Sequence, residues 1–178
     1  GTPHIDNAAR ICHSPSYSGL KASIGEAAST CSYKDWLETD VLILIGSNMA
    51  NNQPVSTKYL YHAKQNGTKI IVVNTYKEPG LTRYWVPSVP ESALFGTALM
   101  DDFFQVHTGG DLAFLNGVLK ALIAMNGLDQ KFIDQRTQGF ESLQQELEQQ
   151  NWSDLERFSG STRADMEKLA HILAKAQS

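Results

Sequence analysis

Two cysteines, Cys12 and Cys31, are all that the 178 residues carry. That is too few for a disulfide scaffold, a four-cysteine zinc site or an iron–sulfur cluster held by this segment. No apolar run approaches the ~20 residues a membrane-spanning helix needs. Positive charge is not in excess either. The net charge of −4, spread along the chain, argues against nucleic acid or a membrane surface as partner. The usual nucleotide signatures are missing: no strand leads into G-x-G-x-x-G, and G-x-x-x-x-G-K-[ST] does not occur, which sets aside NAD binding and ATP hydrolysis. There is also no initiating methionine. A chain that opens on Gly1 reads as a piece of a longer protein. With no signal peptide in view the expected location is the cytoplasm, the periplasm remaining open.

What is present points to an α/β fold. Val41-Leu42-Ile43-Leu44-Ile45 is a continuous apolar run of the kind found in parallel strands buried on both faces. It breaks at Gly46 into Ser47-Asn48-Met49-Ala50-Asn51-Asn52, and Pro54 suits the first turn of a helix running to Gln65. Asn66-Gly67 stops that helix, and Lys69-Ile70-Ile71-Val72-Val73-Asn74 is a second buried strand, completing a βαβ unit. Residues 103–107 read as a third strand closed by Thr108-Gly109-Gly110. Asp111 then caps a helix to Met125 with Leu112, Leu115, Leu119 and Ile123 on one face.

Elsewhere, residues 1–16 read as a loop, 17–24 and 33–37 as short helices (the second capped by Ser32), 75–88 as irregular, and 91–101 as a helix weakened by Gly96. Past Gly127 the chain is a helical tail over 127–178, with helices at 130–137, 140–149 and 162–176, the last behind a capping box of Ser161-Thr162 and Asp165. The expectation is one domain: three layers, a mostly parallel sheet with helices on both faces, Rossmann-like, ending in a helical part.

All three strands end in the same chemistry. Glycines at Gly46, Gly109 and Gly110 let backbone N–H groups approach phosphate oxygens. Lys77 can neutralise charge, and Asn74 or Asp111 can bond ribose hydroxyls or a guanine edge. In a parallel sheet these ends share one edge, where ligands of open α/β sheets bind. The same residue types also make ordinary βα turns in any doubly wound protein. Arg10-Ile11-Cys12-His13 is the second candidate: a cysteine near Arg and His can be a nucleophile, a soft-metal ligand or a plain thiol. Cys31, with no charged neighbour within two residues, reads as structural. The scattered His4, His62, His107 and His171 do not pair at zinc-ligand spacing. Trp36, Trp85 and Trp152 read as core or interface anchors.

Taken together, the two candidates resemble the molybdopterin oxidoreductases that bind bis-(molybdopterin guanine dinucleotide), the family of formate dehydrogenases and periplasmic nitrate reductases. Residues 5–16 (IDNAARICHSPS) resemble the segment whose cysteine or selenocysteine ligates molybdenum. Residues 45–54 (IGSNMANNQP) are similar to the first cofactor loop, and Thr108-Gly109-Gly110-Asp111 to the third. Val73-Asn74-Thr75-Tyr76-Lys77-Glu78 stands where formate enzymes carry Asp-Pro-Arg and is closer to the nitrate-reductase version. Ala8 stands where nitrate reductases have a cofactor-contacting Asn. Residues 127–140 also fit the pattern.

The resemblance implies that Cys12 Sγ is the protein ligand to molybdenum, or to tungsten, beside the sulfurs of two pterins. It implies that His13 takes or relays a substrate proton as two electrons pass to the metal, and that Arg10 positions pterin or substrate. Ile45, Gly46, Ser47, Asn48, Asn51, Asn52, Asn74, Thr75, Tyr76, Lys77, Glu78, Gly109, Gly110 and Asp111 would hold the guanine dinucleotide of one pterin. The substrate implied is formate or a small oxyanion. The partners implied are the remaining domains of the same subunit and a redox protein, with any iron–sulfur cluster elsewhere in the full chain. Such a fragment would be inactive alone.

Overall fold

The computed structural model describes residues 1–87 and 89–177; Ser88, the end of the stretch expected to be irregular, lies outside them. The chain falls into two compact units, Gly1–Ser32 and Tyr33–Ser178. No helix among the described residues is long and apolar enough to cross a membrane.

The first unit is more regular than expected. In place of a loop over 1–16 it forms α1 (Ala9–Cys12) and α2 (Ser14–Ile24). Local hydrogen bonding explains the turn. Asn7 Oδ1 accepts from the Ala9 N–H at 2.9 Å, Asp6 pairs with Arg10 one turn on at 2.9 Å, and Pro15 sits in the first turn of α2, where its missing N–H costs nothing. Gly25, left-handed at φ 77°, ends α2. No residue of either helix is buried. Cys31, expected to be structural, is exposed.

The second unit is built on three parallel strands in the order β1 (Val41–Ile45), β2 (Lys69–Asn74), β3 (Asp102–Gln105). β2, the central strand, is buried from Ile70 to Asn74, which is why it reads as one apolar run. Its side chains alternate between two cores. Ile71 and Val73 join Phe104 and Val106 against α7 (Asp111–Ala124), α10 (Trp152–Ser159) and α11 (Arg163–Leu173). Ile70 and Val72 join Leu44 against α3 (Met49–Asn52), α4 (Ser56–Gln65) and α5 (Pro79–Thr82). Each of these fully buried aliphatics contributes about 1.5–3 kcal/mol relative to exposure. The sheet thus carries helices on both faces, the three-layer α/β architecture expected. The remaining helices are α6 (Pro90–Phe95), α8 (Gln130–Arg136) and α9 (Phe140–Gln149).

Several details differ from the sequence reading. The turn expected over 33–37 under a Ser32 cap is one 3-10 turn, Asp35–Leu37, whose N-cap position is Lys34. The helix expected from Pro54 begins at Ser56, and that over 91–101 is α6, ended by Gly96 at φ 70°. The third strand starts earlier and leaves the sheet sooner than 103–107, because the His107 N–H bonds the Ser159 carbonyl at 2.7 Å. On α7 the buried face is Phe114, Gly117, Val118, Ala121 and Leu122, while Leu112 is exposed. Trp85, expected as an anchor, is also exposed. The Thr162–Asp165 cap is present, Thr162 Oγ1 accepting from the Asp165 N–H at 3.2 Å.

An ion triad closes the amino-terminal end of the sheet. Asp102 accepts from Lys69 at 2.8 Å and from Lys168 at 2.6 Å, tying β3 to β2 and α11. Burial works to raise its pKa, but the hydrogen bonds and charges of Lys168 and Lys69 outweigh it, and the carboxyl is held below its ordinary 3.8. A depressed folded-state pKa stabilises the fold above the unfolded-state value and loses that contribution as pH falls through the folded one. The stability gap between wild type and Asp102→Asn is therefore expected to be full above about pH 5 and to shrink on further acidification. Urea melts across that range read it directly.

Candidate functional site

Parallel pairing sets Ile45 beside Val73 and Asn74 beside Gln105, so the three strands deliver their carboxyl ends to one edge. At β1 the Gly46 N–H donates to the Val73 carbonyl at 2.9 Å, and the chain turns with Gly46 at φ 60°. That left-handed conformation favours glycine. Asn48 caps the short helix α3, Oδ1 accepting from the Asn51 N–H at 3.3 Å. Its amide also donates to Glu78 Oε2 at 2.8 Å, which straps the first loop to the second. α3 and α5 meet closely, since a Cβ on Gly80 would collide with the Cβ of Ala50.

At β2, Asn74 is buried and accepts from the Thr75 N–H at 2.8 Å, and its carbonyl accepts from the Val106 N–H at 3.1 Å. Thr75, Tyr76 and Lys77 are exposed beyond it, with Lys77 Nζ 5.8 Å from the centre of the Phe103 ring. After β3, Gly109 turns at φ 79°, and the Gly110 N–H returns to the His107 carbonyl at 2.8 Å. Gly110, not Asp111, occupies the N-cap of α7; Asp111 is the acid of the first turn, where a negative charge suits the helix dipole.

The expected residues of the second unit thus gather at one rim, with a division of labour. Asn48, Glu78 and Asn74 are engaged in holding the loops. Ile45, Gly46, Asn51, Asn52, Thr75, Tyr76, Lys77 and Gly109 are exposed, and Ser47 and Asp111 half-buried. A Cβ on Gly46 or Gly109 would meet nothing within 4 Å, so both backbones face open space a ligand can enter. The rim offers hydroxyl and amide groups, the positive charge of Lys77 and the Asp111 carboxylate as an acceptor, a set suited to a polar, phosphorylated ligand.

In the first unit, Cys12 ends α1 with its N–H on the Ala8 carbonyl at 2.8 Å, and its thiol is free and exposed. His13 follows as the hinge between α1 and α2. Arg10 and His13 line a shallow cleft of about 480 Å³ with Asp6, Asn7, Ser14 and Tyr17. Its lining is rich in donors, and its one carboxylate is bonded to Arg10.

Sequence reasoning missed two structural partners of these residues, Asp6 beneath Arg10 and the end of α10 beneath the third loop. The second left a signal. Asn151 caps α10, its Oδ1 accepting from the Asp154 N–H at 2.8 Å, and Gly160 at φ 72° stops the helix after eight residues, a start and stop that bracket WSDLERFS.

Similarity to known proteins bears on both sets of residues. The molybdopterin oxidoreductase family model matches residues 3–147. Protein YdeP of Escherichia coli K12 is 32% identical over 189 residues, covering 99% of this chain. Formate dehydrogenase H of the same organism is 29% identical over 178 residues, covering all of it. The chain spans about a quarter of the length of these relatives, 25% and 23%. Among solved structures, acetylene hydratase from Pelobacter acetylenicus shares the fold with a TM-score of 0.66 at 21% identity, covering 96% of this chain and 21% of its own. The matched segment takes in Cys12 and all three strand ends, and the chain belongs to the molybdopterin oxidoreductase family.

Proposed function

We propose that this chain is the molybdopterin guanine dinucleotide-binding domain of a longer catalytic subunit, formate dehydrogenase-like, and that it contributes the protein ligand to molybdenum or tungsten. The observation that carries the reading is the family match over residues 3–147: one continuous segment holds the exposed Cys12 thiol, His13 next to it in the chain, and the three loops that follow β1, β2 and β3. When bound, the cofactor supplies dithiolene sulfurs and a metal that exchanges two electrons with substrate.

The chain's own residues then have distinct tasks. Cys12, as thiolate, is a soft donor suited to the metal. His13, next in the chain, holds or moves a proton at its imidazole nitrogen. Arg10 orients formate or another small oxyanion by charge and hydrogen bonding. Gly46 and Gly109 offer backbone to phosphate, Lys77 offsets its charge, and Asp111 accepts from guanine. The isolated segment is expected to turn nothing over, because the rest of the subunit completes the site.

Expression of the longer protein in a host that makes the cofactor tests this. Molybdenum or tungsten together with guanine nucleotide, and formate oxidation with a dye acceptor, are the expected results. A protein carrying neither metal nor guanine overturns the reading. One that carries both but reduces nitrate and leaves formate untouched moves the substrate to the nitrate-reductase side, in line with Asn74-Thr75-Tyr76-Lys77.

A further inference from the structure

The loop at 108–111 is closed by one bond of its own and otherwise held by α10. The His107 N–H that precedes it leaves the sheet and donates to the Ser159 carbonyl at 2.7 Å, while the His107 carbonyl accepts from Gly110 at 2.8 Å. Gly110 is buried with its α-carbon against the backbone of α10's last turn: a Cβ there would lie 2.7 Å from the Ser159 oxygen and 2.9 Å from that of Phe158. Gly160, left-handed at φ 72°, packs on the His107 ring so closely that a Cβ would collide with it. Ser159 is fully buried, and its hydroxyl accepts from the Ser161 N–H at 3.1 Å. Three successive residues at the end of α10, Phe158, Ser159 and the C-cap Gly160, therefore pack against His107 and Gly110, on either side of Thr108 and Gly109. Leu155, one turn back on the same helix, anchors it in the core with α7. Gly109, between the gripped positions, faces open space.

We propose that the closing turn of α10 positions the third cofactor loop, with Ser159 and Gly160 as positioning residues for the guanine dinucleotide; this rests on the cofactor reading above. A site of this kind works only when its backbone is held to within about 0.5 Å by its supports. The grip falls on residues flanking the one glycine left open to ligand. A loop fixed before ligand arrives spends less binding energy on ordering.

The test uses the longer protein made in a cofactor-competent host and reads tightly bound guanine nucleotide per polypeptide after acid release. It also reads the melting temperature of the nucleotide-free form. Gly160→Ala is expected to lower guanine retention about tenfold, the lower end of what lost supporting contacts cost a bound centre. Gly139→Ala is the control: Gly139 has the same left-handed backbone at φ 78°, and a Cβ there meets nothing within 4 Å. It should keep retention within about twofold of wild type, even where its melting temperature falls as far. Adding His107→Ala to Gly160→Ala removes the ring that the new methyl strikes and should restore most of the loss.

Wild-type retention in Gly160→Ala, equal loss in Gly139→Ala, or no rescue in the double variant overturns the positioning role while leaving the cofactor reading intact. A wild-type protein without guanine nucleotide overturns both.

Discussion

Replacing Cys12 by Ser is expected to lower turnover of the longer protein on the order of a hundredfold or more, with guanine nucleotide still bound. The two effects separate because they draw on different residues. Cys12 ends α1 with an exposed thiol and is proposed to meet the metal, whereas the dinucleotide is proposed to rest on the loops after β1, β2 and β3. Serine keeps the shape but offers a harder oxygen donor, poorly matched to a soft-ligand site. Steady-state kinetics with formate, beside guanine analysis of the same preparation, checks this. Unchanged turnover, or loss of nucleotide in step with activity, would contradict the assignment of Cys12.

The second large effect is expected at Gly110. Its φ of −84° is ordinary for any residue, so backbone strain is not the reason. An added methyl would face the carbonyl oxygens of Ser159, Phe158 and His107 at 2.7, 2.9 and 3.0 Å. Backbone oxygens cannot swing aside as a side chain can. Forced overpacking of this kind costs about 1–3 kcal/mol, and the loop or the end of α10 must move to relieve it. Gly110→Ala should therefore lose both thermal stability and guanine retention. Gly109→Ala is the contrasting case: its left-handed φ of 79° costs about 1–2 kcal/mol, but the methyl points into open space. It should be hurt mainly where ligand and methyl compete. Differential scanning fluorimetry and nucleotide release on the two variants separate steric from conformational cost.

The parts of the fold that were legible owe it to strong local physics. Residues 41–45 and 70–73 are apolar without interruption, the second run because β2 is covered on both faces, and each run is followed by a turn-forming residue, Gly46 or Asn74. The parts that were not legible have no such signature. α1 and the first turn of α2, expected as loop, bury nothing, and their start depends on Asp6, Asn7 and Pro15, whereas the rest of α2 lies where the sequence predicts a short helix over 17–24. The misread face of α7 has the opposite cause. That helix is packed by the sheet, α9, α10 and α11, is apolar nearly all round, and offers Leu112 as plausibly as Phe114 for the core.

The candidate site shows the same divide. Gly46, Asn74, Gly109 and Gly110 stand out beside their strands, and Cys12-His13 beside Arg10. Their supports do not. The Asn48–Glu78 strap spans thirty residues, and the Ser159–His107 bond spans more; neither member of such a pair signals the other in one sequence. Asp111 illustrates a smaller error of the same kind. An acid next to a glycine reads as a cap, yet Gly110 takes that position because only a residue without a side chain fits under Ser159.

X-ray absorption at the metal edge of the longer protein, wild type against Cys12→Ser, tests the proposed ligand most directly. One sulfur fewer bound to molybdenum or tungsten in the variant, with an oxygen in its place, is the result expected. An unchanged sulfur count would mean that the thiol at the end of α1 does not touch the metal, and the proposed site would have to be rebuilt without it.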